Sequence, residues 1–408
     1  MEKLKKSFLW NTLGTSINAF NSLFFMVAVT RINGVDNAGI FTIAFSTACI
    51  IYIIGLYAGR IYQVTEPDKK ISNKDYIANK IFTTFSMIII VILFCIIKGY
   101  TLFKMAIFVL LTIYKAMEAF ADVFYGILQK NEELDKVGKS LFLKSIISII
   151  LFVLIDIITK NMIISISTML IANILILCFY DIKNSKKYIE KEKSINKEHV
   201  MQIFKSGFFT FAISFLGIYI LNAPKYAIDN YLQDNYQTIF GIIVMPATVI
   251  GLVAQFLIHP YLNTILKLYE SNDKKGLNNI ILKLVVAISA IGLVSSFFAY
   301  FLGPEVLGII YGIDLTLYRV QLLLIIVAST LYTVGVIYSS VLTTIRDTFS
   351  QFIIYILISI FALITSNLLT KTNEINGAVI SYFCIMLLQF TIYTIYANIR
   401  IKRIFKKK

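Results

Sequence analysis

The sequence predicts an all-α integral membrane protein, and three features of its 408 residues predict it. Hydrophobic residues make up 58% of the chain and charged residues only 15%, more apolar surface than a soluble fold could bury. Apolar runs long enough to cross a hydrocarbon core, roughly 20 residues at ~1.5 Å each, recur from end to end. The charges gather in alternate loops and at both termini, the distribution that orients a membrane protein.

Twelve spans are expected. The first, 8–30, follows the basic Lys3, Lys5 and Lys6 and carries the single tryptophan, Trp10, at an interfacial position. It is too long for a signal-peptide core and lacks a small-residue cleavage site, so it is expected to stay uncleaved. The turn Arg31-Ile32-Asn33-Gly34 leads into the second span, 38–59, and a charged stretch from Arg60 to Lys80 precedes the third, 79–97. The fourth, 102–126, holds three charges; the fifth and sixth, 140–159 and 162–180, are separated only by Lys160-Asn161. Lys and Glu then alternate with no apolar pattern, which reads as a solvated connector. The seventh span, 205–228, ends in Asn222-Ala223-Pro224-Lys225-Tyr226, and the eighth, 236–258, contains Pro246. The ninth, 277–302, is followed by the longest exterior loop, Gly303 to Thr316, and then come 317–343, 349–370 and 374–398. The expected organisation is a six-helix lobe over 1–181, a cytoplasmic connector over 182–204, a second six-helix lobe over 205–398 and a basic tail over 399–408.

Of the 38 lysines and arginines, thirty fall on the side of the termini, seven on the other side, and Lys115 falls within a span. The positive-inside bias therefore puts both termini in the cytoplasm. It also accounts for the formal charge of +15, so no nucleic-acid partner is needed to explain that charge. A faint internal repeat supports the two halves: Ile40, Phe41, Ile43 and Tyr62 recur as Ile239, Phe240, Ile242 and Tyr261 at a constant offset. Duplicated bundles of this kind are a common transporter plan.

Catalytic patterns are nearly absent, and the chain is expected not to be an enzyme. His199 and His259 are not at metal-binding spacing, and Cys49, Cys95, Cys178 and Cys384 are scattered among apolar runs. There is no Gly-rich phosphate loop, no serine nucleophile elbow and no nucleotide-binding domain, which disfavours an ATP-driven pump. No cofactor is expected.

Charge inside a membrane costs at least ~2.5 kcal/mol at a helix centre, so each instance needs a reason. Lys115, Glu118 and Asp122 lie close to one face of the fourth span, with Lys115 some 20 Å along it. They fit either a locally neutralised packing pair or a stripe lining a polar cavity. At the end of the seventh span Pro224 removes a backbone donor and is expected to kink or break the helix beside Lys225 and Asp229. That suits a gate or a ligand contact, and equally a lysine snorkelling to the interface. Arg31, Arg60 and Arg319 stand at span ends, where snorkelling is the simpler reading and ligand contact the other.

Arg31-Ile32-Asn33-Gly34 followed by Gly39-Ile40-Phe41 resembles the signature that joins the first two helices of Wzx-type polysaccharide exporters. These are flippases of the superfamily that also holds multidrug extruders and the lipid II flippase. Gly126-Ile127-Leu128-Gln129 leading into Glu132-Glu133-Leu134, Pro224-Lys225-Tyr226 with Ile239-Phe240-Gly241, and Leu307-Gly308-Ile309-Ile310-Tyr311-Gly312 resemble further stretches of that family, in order. The sequence departs from the pattern at Lys225, where many relatives have arginine.

The resemblance implies two six-helix bundles related by pseudo-symmetry around a V-shaped central cleft, in the bacterial cytoplasmic membrane. It implies a flippase moving an undecaprenyl-pyrophosphate-linked oligosaccharide to the outer leaflet by alternating access. Arg31, Arg60, Lys115, Lys225 and Arg319 would then contact substrate, and Glu118, Asp122, Pro224 and Asp229 would serve coupling or gating, with sodium or a proton as the coupling ion where one is used. Membrane lipid and the polymerase and glycosyltransferases of the same pathway are the implied partners. A cation-coupled multidrug extruder is the first alternative, although the first span lacks the buried carboxylates such a site wants. A membrane polysaccharide polymerase or ligase is the second, although the large exterior loop of such enzymes is missing.

Overall fold

The structure is a computed structural model that describes residues 2–57, 59–65, 71–189 and 194–407. Lys69, Lys70 and the connector positions 190–193 lie outside the described residues. The chain runs α1 (Glu2–Asn33), α2 (Val35–Leu56), α3 (Gly59–Thr65), α4 (Asn73–Lys98), α5 (Leu102–Lys130), α6 (Leu134–Thr159), α7 (Met162–Ile176), α8 (Lys183–Ser185), α9 (Lys197–Tyr231), α10 (Asp234–Ile258), α11 (Leu262–Glu270), α12 (Lys274–Tyr311), α13 (Arg319–Thr344) and α14 (Thr348–Lys407). The described residues form no strand. An unbroken helix pairs its own backbone groups, which is what hydrocarbon demands of a crossing segment.

Each expected span has a helix for its main part; the second, 38–59, is cut short where α2 ends at Leu56, and the twelfth, 374–398, begins at the non-helical Glu374. Among the described residues, ten helices are long and apolar enough to cross by length and composition alone. α5 joins them once its charges are set aside, and α14 contains two spans, because its backbone leaves the helical region at Asn373 and Glu374. Residues such as Phe82, Phe85, Leu93 and Ile97 of α4 project from the protein with 52–83% exposure, an outward face suited to lipid and not to water.

The chain divides into two compact units, Met1–Phe215 and Leu216–Lys408. In the first, Phe25, Phe41 and Phe152 meet with ring centres 5.0–6.3 Å apart and lock α1, α2 and α6 together. α1 approaches α6 closely because Gly14 and Gly138 stand where the two backbones touch; a Cβ at either would strike the other helix. In the second, a core including Ile258, Ile265, Leu277, Ile337 and Ile401 joins α10 to α14 through α11, α12 and α13. Each unit follows its second helix with a short one, α3 or α11, in line with the internal repeat that links Tyr62 to Tyr261.

Four expectations are corrected. The helix does not break at Pro224, since α9 continues through it to Tyr231. The exterior loop expected from Gly303 to Thr316 shrinks to Gly312–Leu315, because α12 runs through Pro304 to Tyr311. The connector expected over 182–204 is helical and partly buried at its start: the π-helical turn Leu177–Ile182, which holds Asp181 fully buried, runs on into α8, where Ser185 is buried too. The helix that carries the seventh span begins before position 205, as α9 already starts at Lys197 within the expected connector.

Candidate functional site

The candidate site grows from one face of α5. Lys115, Glu118, Asp122, Tyr125 and Gln129 recur at helical spacing, so a polar stripe runs from the middle of this 29-residue helix to its end. Lys115 donates to Glu118 at 2.7 Å, and each side chain is 13% exposed. The i, i+3 pairing read from the sequence is therefore real.

The second component is Lys80, a cation that the charge pattern of the sequence places in a loop. α2 stops at Tyr57, whose φ of 40° is left-handed, and the carbonyls of its last turn lose their helical partners. Lys80 Nζ caps two of them, at 2.9 Å from the Gly55 oxygen and 2.6 Å from that of Leu56. A cation suits the negative end of the helix dipole. With its side chain 2% exposed, Lys80 is shielded from water and lies 3.8 Å from the Asp122 carboxylate.

Arg60 enters from α3, only a few residues past that break. Its Nε donates to Gln129 at 2.9 Å, its Nη1 lies 3.7 Å from Asp122, and the guanidinium stands 5.8 Å from the Tyr125 ring centre. Asp122 thus sits between two cations drawn from different helices. Lys80, Arg60 and Lys115 against Asp122 and Glu118 leave the cluster with an excess of positive charge.

Behind Tyr125 lies a second pair that sequence patterns do not reveal. Lys144 donates to Asp181 at 2.5 Å and to the Tyr125 hydroxyl at 3.1 Å. The hydroxyl is also 2.9 Å from Ser140. By charge pattern Lys144 counts as a loop cation; it is eleven residues into α6, so its partner comes from across the fold.

The other expected residues stand elsewhere. Arg31 is exposed in the last turn of α1, just before Gly34, whose φ of 86° only glycine adopts without strain. In the second unit Lys225 and Asn222 of α9, Gln255 of α10, Tyr332 of α13 and Tyr382 of α14 line a cavity of about 360 Å³. Pro224 is buried next to it in the chain, and Asp229 is half-buried one turn beyond. Arg319 binds Glu305 and the carbonyls of Tyr300 and Phe301. Tyr300 is the residue four before Pro304, whose missing N–H orphans that carbonyl, so Arg319 repairs a proline defect in α12.

Among the described residues no three of His, Cys, Asp and Glu converge to hold a metal ion. The helices and charges define a multi-pass membrane protein, and it has the fold of the MOP-superfamily transporters. An inward-facing multidrug resistance MATE family transporter of that superfamily matches with a TM-score of 0.70 at 11% identity, over 97% of this chain and 99% of the other. An outward-facing multidrug resistance MATE family transporter matches with a TM-score of 0.60 at 12% identity, over 98% and 96%. In sequence, the chain is 26% identical over 316 residues to the capsular polysaccharide biosynthesis protein CapF of Staphylococcus aureus, 75% of this chain and 77% of CapF. No protein-family model matches.

Proposed function

We propose that this protein is a flippase that carries an undecaprenyl-pyrophosphate-linked oligosaccharide from the cytoplasmic to the outer leaflet of the bacterial cytoplasmic membrane, for cell-surface polysaccharide synthesis. The observation that carries the reading is the likeness to CapF across three quarters of the chain. The charge pattern agrees with it. A pyrophosphate and several sugars cross hydrocarbon only where polar groups replace their lost water. The α5 stripe, together with Arg60 of α3 and Lys80 of α4, offers such groups with positive charge in excess.

In this reading Arg60 contacts the pyrophosphate, with Arg31 drawing it in, and Lys225 is a substrate-contacting cation of the second unit. Lys115 lends positive potential while Glu118 holds it, and Asp122 sets the position of Arg60. Arg319, already engaged by Glu305 and two carbonyls, is left out of the contact set. Transport proceeds by alternating access, with both termini cytoplasmic and sodium or a proton as the coupling ion. The polymerase and glycosyltransferases of the same pathway supply and consume the lipid-linked glycan.

The test is a reconstituted assay in which a fluorescent undecaprenyl-pyrophosphate disaccharide starts in one leaflet and is bleached by an impermeant reductant once it reaches the other. Faster movement than in protein-free vesicles, slowed by Arg60→Gln, is expected. The shared MATE fold favours a cation-coupled multidrug extruder as the second reading. Vesicles that accumulate organic cations but leave the lipid in place would establish it instead.

A further inference from the structure

Lys115 is enclosed as well as paired. Its ammonium nitrogen lies 5.1 Å from the ring centre of Phe45, 5.7 Å from that of Tyr52 and 5.4 Å from that of Tyr114, with the Glu118 carboxylate at 2.7 Å. The cage is built by helix spacing. Phe45 and Tyr52 are seven residues apart on α2, Tyr114 and Glu118 are four apart on α5, and those two helices pack along each other. The rings present their electron-rich faces to a single point, and the carboxylate adds a full negative charge there.

Three aromatic faces and a carboxylate around one point are the means by which proteins recognise an organic ammonium ion. The protein's own lysine fills that place here. We propose that this cage is an organic-cation site kept occupied by Lys115, which makes Lys115 the residue that refuses cationic ligands to the first unit. A tethered ammonium is present at high effective concentration, so a free cation must displace it against charge repulsion. Removing the lysine leaves Glu118 without its counter-ion among three rings, and the chemistry of the site then selects an alkylammonium or quaternary ammonium ligand. The partial exposure of Lys115 and Glu118, 13% each, leaves an edge through which a small cation can enter. The inference stands on the geometry of the first unit alone, whatever substrate the protein carries.

The test uses the purified full-length chain in detergent and the variant Lys115→Ala, with n-propylammonium, which replaces the deleted atoms one for one, and tetramethylammonium as probes. Sodium chloride at equal concentration controls for ionic strength. The expected result is a saturable rise in the thermal midpoint of Lys115→Ala with either ammonium ion, without a comparable rise in the wild type. Adding Glu118→Gln or Tyr52→Leu to Lys115→Ala should weaken the apparent affinity by about tenfold. An equal effect of the ammonium ions on wild type and Lys115→Ala, or an undiminished effect when Glu118→Gln is added, overturns the proposal. If Lys115→Ala does not fold, Lys115→Gln, which keeps a polar chain of similar length, is titrated with tetramethylammonium, and the same two results overturn the proposal.

Discussion

Lys144 and Asp181 meet at 2.5 Å with side chains 6% and 0% exposed, so an ion pair closed off from solvent ties α6 to the π-helical turn after α7. A single loss strands the other charge, whereas loss of both removes the burden altogether. Lys144→Met and Asp181→Asn are each expected to cost about 3–5 kcal/mol, while Lys144→Met with Asp181→Leu recovers most of that. Thermal unfolding of the three detergent-purified variants measures it; a double variant no better than either single one would show that the pair is needed for its own sake.

Arg319 and Pro304 form a second dependency. Replacing Pro304 with alanine returns the N–H that the Tyr300 carbonyl lacks, so Arg319 has less to repair. Arg319→Gln is expected to cost about 1 kcal/mol in the native background and clearly less beside Pro304→Ala. Equal costs in the two backgrounds would remove the coupling.

At the opposite end of the second unit Asp347 accepts from Tyr396 at 3.0 Å and pairs with Arg400 at 2.9 Å. Burial alone would raise its pKa, but hydrogen bonds from Ser350, Tyr396 and Arg400 outweigh it and hold the carboxyl below the ordinary carboxylate value. A depressed folded value gives stability that is complete above the unfolded pKa, about 3.9, and is lost as pH falls through the folded one. The thermal midpoint of the wild type should therefore drop more than that of Asp347→Asn from about pH 5 to about pH 3. Parallel pH profiles would rule Asp347 out as a contributor.

Arg60 grips Gln129 while facing Asp122, and its planar fork is suited to phosphate in a way lysine is not. Under the proposed function, Arg60→Lys should slow lipid movement in vesicles by about tenfold and Arg60→Gln further, with both proteins eluting as the wild type does on gel filtration. Full rates in both variants would take Arg60 out of the contact set.

The proposed orientation is open to a direct check in a chain whose four cysteines are replaced. A cysteine at Asp36, exposed just after α1, should react with an impermeant thiol reagent on whole cells. One at Asn272, exposed between α11 and α12, should react only after lysis. The reverse pattern would invert the topology.

The Lys115–Glu118 pair is legible in the sequence because both partners lie on one helix, where spacing along the chain fixes proximity in space. Lys80 escapes a reading by charge pattern, although a signal for it exists. Ser72 and Asp75 form a capping box that starts α4 at Asn73, which places Lys80 inside the helix and not before it. For Lys144 no comparable signal is present: its partner lies 37 residues away, brought near only by the packing of α6 on α7.

What the sequence determined by itself was the class of the protein and the order of its spans, since hydrocarbon thickness sets run length and the bias of lysine and arginine follows the loops. Those are properties of single segments, additive along the chain. What only the tertiary structure decided was which charges meet: that Asp122 lies between Arg60 and Lys80, that Lys115 sits among rings from two helices, and that Arg319 mends the gap left by Pro304. Pairings of that kind depend on how helices rotate and slide against one another, and side-chain packing fixes that rotation through contacts between residues far apart in the chain.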